Sequence, residues 1–237
     1  MARLGVNVNC VAALRATGKN SDPDPAAAVV FAEVGGADGI VCPLVEELHP
    51  LTERDVRLLR EIVKTHLNLQ IPPTDKMVTL ALSNDPDMVT LVPGKKPGST
   101  PGGGLDVLGR SEELASVIQD IRGKGIVVSL LVEPIIHQVK AAAKVGADYV
   151  ELHMGQFSKV EDLNERADIL ENISSVVLAS SKLGLGVAAG HGLNYQNVGV
   201  IAAMEKVEEI NIGHAIAVRA LWLGMENAVR DMAALVH

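Results

Sequence analysis

The chain has 237 residues, room for one large domain or two small ones; 48% of them are apolar and only 2% aromatic. A formal net charge of −8 excludes the basic surface that nucleic acid requires, and so few rings leave no stacking platform for bases. No apolar run approaches the roughly 18 residues of a membrane span, the N-terminus lacks a signal-peptide h-region, and two cysteines make no disulfide framework, so a cytoplasmic protein is expected.

With so few rings, Val, Leu, Ile and Ala must fill the core, which suits parallel strands buried on both faces. The first apolar run, Leu4–Asn9, reads as a strand. Asp24-Pro25 opens a helix over Ala26–Val34, with proline at a first helical turn. Gly39–Cys42 is the second strand, and Thr52-Glu53-Arg54-Asp55 is a capping box opening a helix over Val56–Thr65. Strands at Leu67–Gln70 and Met88–Val92 follow. Pro93–Gly104, with five glycines and three prolines, is a loop on the catalytic face, where it could act as a lid.

Ser111 opens a helix over Glu112–Arg122, followed by a strand at Ile126–Leu131. Glu133-Pro134 opens a helix over Ile135–Val145, and Asp148–Leu152 is the sixth strand. Asp162 begins a long helix to about Lys182. Strands at Leu185–Ala189 and Val207–Ile212 precede a last helix from Ala215 to Leu235. Val34-Gly35-Gly36-Ala37-Asp38-Gly39-Ile40 is echoed by Val145-Gly146-Ala147-Asp148-Tyr149-Val150, each a glycine helix stop leading into a strand.

Eight strands alternating with helices predict an α/β fold, a (β/α)8 TIM barrel with extra helices, spanning 1–237 as a single domain without a composition shift. The dinucleotide fingerprint of an open doubly wound sheet is absent, because Asn9-Cys10-Val11-Ala12-Ala13 has no glycine.

Barrel chemistry sits at the C-terminal ends of strands. Gly190-His191-Gly192-Leu193-Asn194 follows the seventh strand and Asn211-Ile212-Gly213-His214 closes the eighth. Glycine lets an anion approach free backbone N–H groups, and a helix N-terminus adds a favourable dipole, so a phosphorylated small molecule is the expected ligand. His191 has no packing role between two glycines and reads as an acid, a base or a phosphate donor; His214 reads as a phosphate donor or a helix cap. Glu151 and His153 share one strand face as a candidate acid/base pair, against the alternative of a structural ion pair. Asn7 and Asn9 fall on one side of the first strand, either inward toward substrate or capping the next turn. Cys10 and Cys42 lack metal-ligand spacing and read as buried small residues, so no metal is expected; no cofactor is expected either. No lysine ends a strand, which speaks against an enzyme-bound Schiff base.

Taken together, Gly5-Val6-Asn7-Val8-Asn9, Asp22-Pro23-Asp24-Pro25, Gly36-Ala37-Asp38-Gly39-Ile40, Thr52-Glu53-Arg54-Asp55-Val56, Leu91-Val92-Pro93, Gly103-Gly104-Leu105-Asp106-Val107, Gly190-His191-Gly192-Leu193 and Asn211-Ile212-Gly213-His214-Ala215 resemble the pyridoxine 5′-phosphate synthase family over nearly the whole chain. The resemblance implies a barrel that assembles into dimers and an octamer. It also implies condensation of 3-amino-2-oxopropyl phosphate with 1-deoxy-D-xylulose 5-phosphate through a Schiff base on the substrate's own amine. On this resemblance His191 is the general acid and Glu151 the transition-state carboxylate. Gly192, Gly213 and His214 form a phosphate clasp, with Asn7 and Thr100 as substrate contacts.

The family pattern is broken at clustered positions. Pro43 stands at the family's catalytic histidine, Val45 at an arginine and Gln70 at a catalytic glutamate. Asn9-Cys10 replaces an aspartate–histidine pair, Gly18 or Lys19 an arginine, and Pro50 a histidine. Three readings stay open: a divergent synthase with relocated proton-transfer groups such as Glu46, His49 or His153; a related enzyme using Glu151 and His191 on one phosphorylated substrate; and a non-catalytic binder of a phosphorylated ligand.

Overall fold

A computed structural model describes residues 1–18, 21–44, 51–94 and 103–237. In chain order the elements are β1 (Arg3–Asn7), α1 (Asn9–Thr17), α2 (Pro25–Val34), β2 (Gly39–Pro43), α3 (Glu53–Ile62), β3 (Leu67–Ile71), α4 (Asp75–Asn84), β4 (Met88–Leu91) and α5 (Ser111–Arg122). They continue with β5 (Val127–Val132), α6 (Ile136–Lys144), β6 (Tyr149–His153), α7 (Leu163–Lys182), β7 (Gly186–Gly190), α8 (Val198–Ala202), β8 (Glu209–Ile212), α9 (His214–Leu223) and α10 (Met225–Val236). The strands pair in sequence order, all parallel, and β8 closes on β1, making the (β/α)8 barrel that the alternation predicts.

The pleat sorts residue types by face. Leu4 and Val6, Leu67, Leu69 and Ile71, Val128 and Leu130, and Ile210 and Ile212 point outward and join the helices in one buried apolar core. The other face, lining the barrel interior, carries Asn68, Gln70, Thr90, Ser129, Glu151, His153, Glu209 and Asn211, all buried. Small residues make room for them: a Cβ on Gly5 would stand 2.0 Å from Asn211 Oδ1, and one on Gly190 would stand 2.3 Å from Glu151 Oε1. The core therefore lies between barrel and helices, and the interior carries these polar side chains together with a few apolar ones, Val41, Met88 and Leu131.

The echoed glycine–aspartate segments have a shared purpose. Asp38, just before β2, accepts the Leu4 amide on Oδ2 at 2.7 Å while its own N–H donates to the Leu4 carbonyl. Asp148 does the same to Val128 before β6, and Asp87 to Leu67 before β4. Each aspartate thus ties the first turn of an even-numbered strand to the start of the strand before it.

Four details depart from the expected elements. β1 ends at Asn7 and Asn9 is the first residue of α1, so strand alternation does not extend to Asn9. α3 stops at Ile62 rather than Thr65 because Glu33 Oε1 takes the amides of Lys64 and Thr65 and the Thr65 hydroxyl, drawing the chain off the helix axis. The last helix is two helices, broken at Gly224, whose φ of +76° is left-handed. Helix α4, capped by Thr74 Oγ1 on the Met77 amide, and the single turn of α8 lie where no helix was expected.

α1 is fastened to α3 by a buried ion pair. Arg15 donates from both terminal nitrogens to Asp55, at 2.8 and 2.6 Å, and Asp55 also completes the capping box with Thr52. Burial opposes ionisation of this carboxyl, but the Arg15 and Thr52 hydrogen bonds outweigh it and hold it at about 2.

Candidate active site

Glu151 lies inside the mouth of the barrel with 1% of its surface exposed. Gln70 Nε2 from β3 and Asn211 Nδ2 from β8 each donate to its Oε2 at 3.1 Å. Oε1 accepts no hydrogen bond from the described residues and faces His191 Nε2 at 3.7 Å. Burial, reinforced by the nearby carboxylate of Glu209, raises the Glu151 carboxyl to about 7, although the two amide donors pull the other way.

His191 follows β7 with a φ of +63°, left-handed and uncommon for a residue with a Cβ. Its ring packs against that of His153 at 5.0 Å between centroids. Desolvation in the barrel mouth, with a smaller contribution from His153, lowers its imidazole to about 4. Near neutral pH the imidazole is therefore uncharged, while the carboxyl, at about 7, is close to half protonated. His153 Nδ1 lies 3.3 Å from Glu133 Oε1, an oxygen that also accepts the Gly104 amide, and burial lowers this imidazole too. His153 is thus partnered by Glu133 rather than by Glu151, the neighbour on its own strand.

The two glycine turns are neighbours, because Gly190 and Asn211 are in register on β7 and β8. After β7 the chain is held by Asn194 and Asn197: Asn197 Oδ1 accepts the Asn194 amide at 2.7 Å, and Asn197 Nδ2 donates to the Gly192 carbonyl. Gly192 is left-handed at φ +87° and packed so closely that a Cβ would stand 2.4 Å from Ser158 Oγ. Gly213 is the N-cap of α9, with no side-chain cap on the first-turn amides, and His214 beside it is exposed. A Cβ on Gly213 would meet the Asn7 Cβ at 2.9 Å, which brings Asn7 to the same rim.

Asn7 Oδ1 accepts the Asn9 amide at 2.9 Å, so Asn7 turns the chain into α1 as its capping alternative supposed. Asn9 is half-buried, with its Oδ1 unpaired among the described residues. Cys42 is buried, its thiol pushed up to about 12 by desolvation, whereas Cys10 is half-buried on α1 rather than at a strand end. Thr100 lies outside the described residues, as do Lys19, Val45, Glu46, His49, Pro50 and most of the 93–104 loop. Pro43 and Gln70 are described and sit directly opposite one another on β2 and β3.

Sequence reasoning overlooked Asn211 and Glu209, the donor to Glu151 and the acid that lifts it, as well as Glu133. For the first two a signal existed: they stand two apart on one strand, the spacing that also marked Glu151 and His153.

The model of the family described as "Pyridoxal phosphate biosynthesis protein PdxJ" matches residues 4–237. The chain belongs to this family. It is 49% identical over 236 residues to a pyridoxine 5′-phosphate synthase of Geobacter sulfurreducens, covering all of this chain and 99% of the relative. It is 48% identical to the synthase of that name from Thermosynechococcus vestitus, with the same coverage. Among solved structures it resembles thiamine phosphate pyrophosphorylase from Pyrococcus furiosus, at a TM-score of 0.62 and 18% identity over 99% of this chain and 95% of that one, a likeness of fold alone. Among the described residues no helix is long and apolar enough to cross a membrane.

Proposed function

We propose that this chain is a pyridoxine 5′-phosphate synthase of vitamin B6 synthesis, joining 3-amino-2-oxopropyl phosphate to 1-deoxy-D-xylulose 5-phosphate with loss of phosphate and water. Membership of the family supports it, and one observation carries it. A carboxyl raised to about 7 faces a neutral imidazole at 3.7 Å, beside two adjacent glycine turns at the barrel mouth. In this reading the amides at Gly192 and Gly213, with His214, take a substrate phosphate, and Asn7 and Asn9 line the rim. Glu151, poised near the working pH, gives and recovers a proton as the substrates' Schiff base forms and the ring closes, and His191 carries the proton to the leaving oxygen. The substrate's own amine supplies the Schiff-base nitrogen, consistent with no lysine ending a strand among the described residues.

The working unit is a single domain of residues 1–237 that self-associates in the cytoplasm and binds neither nucleic acid nor membrane. Exposed Phe31 and Val34 on α2 and Leu221 and Trp222 on α9 support self-association.

A second reading is favoured by one observation: Pro43 and Gln70, neither able to transfer a proton at neutral pH, are paired opposite each other at the rim. In that reading the chain binds one phosphorylated ligand, with or without different chemistry. The deciding experiment incubates the purified protein with both substrates and follows pyridoxine 5′-phosphate by fluorescence, alongside calorimetry with pyridoxine 5′-phosphate. Product formation supports the synthase reading; binding without turnover overturns it in favour of the second.

A further inference from the structure

The three residues around the interior carboxyl form an asymmetric set. Both amide donors, Gln70 Nε2 and Asn211 Nδ2, go to the same oxygen of Glu151, Oε2, at 3.1 Å each. The other oxygen, Oε1, is packed over Gly190, where a Cβ would stand at 2.3 Å, and looks toward His191 Nε2 at 3.7 Å. A protonated carboxyl has one carbonyl-type oxygen and one hydroxyl. An oxygen already accepting two N–H donors has no room to carry the hydrogen, so the hydroxyl is forced to the opposite side.

We infer that Gln70 is a positioning residue: together with Asn211 it fixes the exchangeable proton of Glu151 on Oε1, where His191 is the group in line to receive it. A glutamate at position 70 could not do this unconditionally, because it would offer a donor only when protonated itself. The amide donates at every pH, so a glutamine here makes a one-proton site with a fixed direction where a glutamate would make a two-carboxyl site. Glu209 deeper in the barrel and His191 at the mouth, with His153 behind it, are the other titratable groups facing this carboxyl among the described residues.

The structural part of this inference stands without the proposed reaction; only its kinetic arm rests on that reading. The test uses Gln70→Met, which keeps the side-chain length and removes the donor. Infrared difference spectra of ¹³C-glutamate-labelled protein, referenced to Glu151→Gln, isolate the Glu151 carboxyl band and its titration. In the unaltered protein the band should lie at the low frequency of a doubly hydrogen-bonded carbonyl. In Gln70→Met it should move up in frequency, and the titration midpoint should rise on the order of one pH unit, as expected for losing one donor to a charged group.

If the synthase activity is present, kcat at neutral pH should fall about tenfold with KM nearly unchanged, the pattern of a lost proton-transfer geometry. A folded Gln70→Met with the band and midpoint of the unaltered protein overturns the inference. Should Gln70→Met not fold, Gln70→Glu retains the shape and asks the same question. Two carboxyls sharing one site must titrate in two steps with the later step raised, and a single step at the original midpoint overturns the inference. Absence of turnover in every variant, with the spectral shifts present, would discard the proposed function and leave the proton placement standing.

Discussion

Pro43 and Gln70 face each other across β2 and β3, in register at the rim of the barrel. A histidine and a glutamate at these positions, as the resemblance to the family implies, would place two titratable groups side by side; here neither residue titrates near neutral pH. Pro43→His together with Gln70→Glu should raise turnover with the two family substrates by at least about tenfold, since a positioned acid or base typically contributes 10²–10⁴-fold and such groups need not multiply. Steady-state kinetics of the two single variants and the double variant checks this. No gain in the double variant would mean that the chain's chemistry does not pass along that edge.

His191 reaches the site from a left-handed backbone position, and its ring stands 3.7 Å from Glu151. His191→Ala should lower kcat by roughly 10²-fold or more and weaken ligand binding far less, as befits a proton carrier. Calorimetry with pyridoxine 5′-phosphate and kcat measured on one preparation separate the two. Equal losses would make His191 a ligand contact only.

The Glu151 carboxyl, raised from 4.5 to about 7, stabilises the fold fully below its unfolded value and loses that contribution as pH rises through about 7. The depressed imidazole of His191 has the opposite slope, gaining stability as pH rises from about 4 to 6.5, so the two partly cancel in the unaltered protein. Glu151→Gln removes only the first. Its stability relative to the unaltered protein should therefore climb by about 3 kcal/mol between pH 4.5 and 8, while activity is lost. Urea unfolding across that range gives the answer, and a flat difference contradicts the raised carboxyl.

Asp55 behaves in the reverse sense. Held at about 2 against a usual 3.8, it contributes stability present above about pH 4 and lost as pH falls toward 2. Asp55→Asn should cost about 2 kcal/mol near neutral pH, and the gap should close in acid. A difference that persists at pH 2 would place the effect in packing rather than charge.

Most of the barrel was legible because its signals are local. Capping at Thr52 and Asp162, proline at position 25 and short Val/Ile/Leu runs each announce an element from within a few residues. Errors arose where a distant residue decides: Glu33 ending α3 from 31 residues away, or Gly224 looking like an ordinary helical glycine until its φ is known. The candidate site divides in the same way. Glu151 and His191 stood out by chemistry and placement, but the carboxyl's state is set by burial and Glu209, which raise it, and by Gln70 and Asn211, which oppose them; these three residues lie 58, 81 and 60 positions distant and meet Glu151 only when the sheet closes. Asn7 and Asn9 looked equivalent by alternation, and the early start of α1 separated them.

The three aspartates that tie even-numbered strands back to the odd ones before them join β1 with β2, β3 with β4 and β5 with β6. Each tie spans only 34, 20 or 20 residues, so each closes a short loop within a two-strand module. Circular permutants opened between β2 and β3, or between β4 and β5, keep every module whole. One opened between β3 and β4 turns a short tie into one that must cross almost the entire polypeptide, and its refolding slows accordingly.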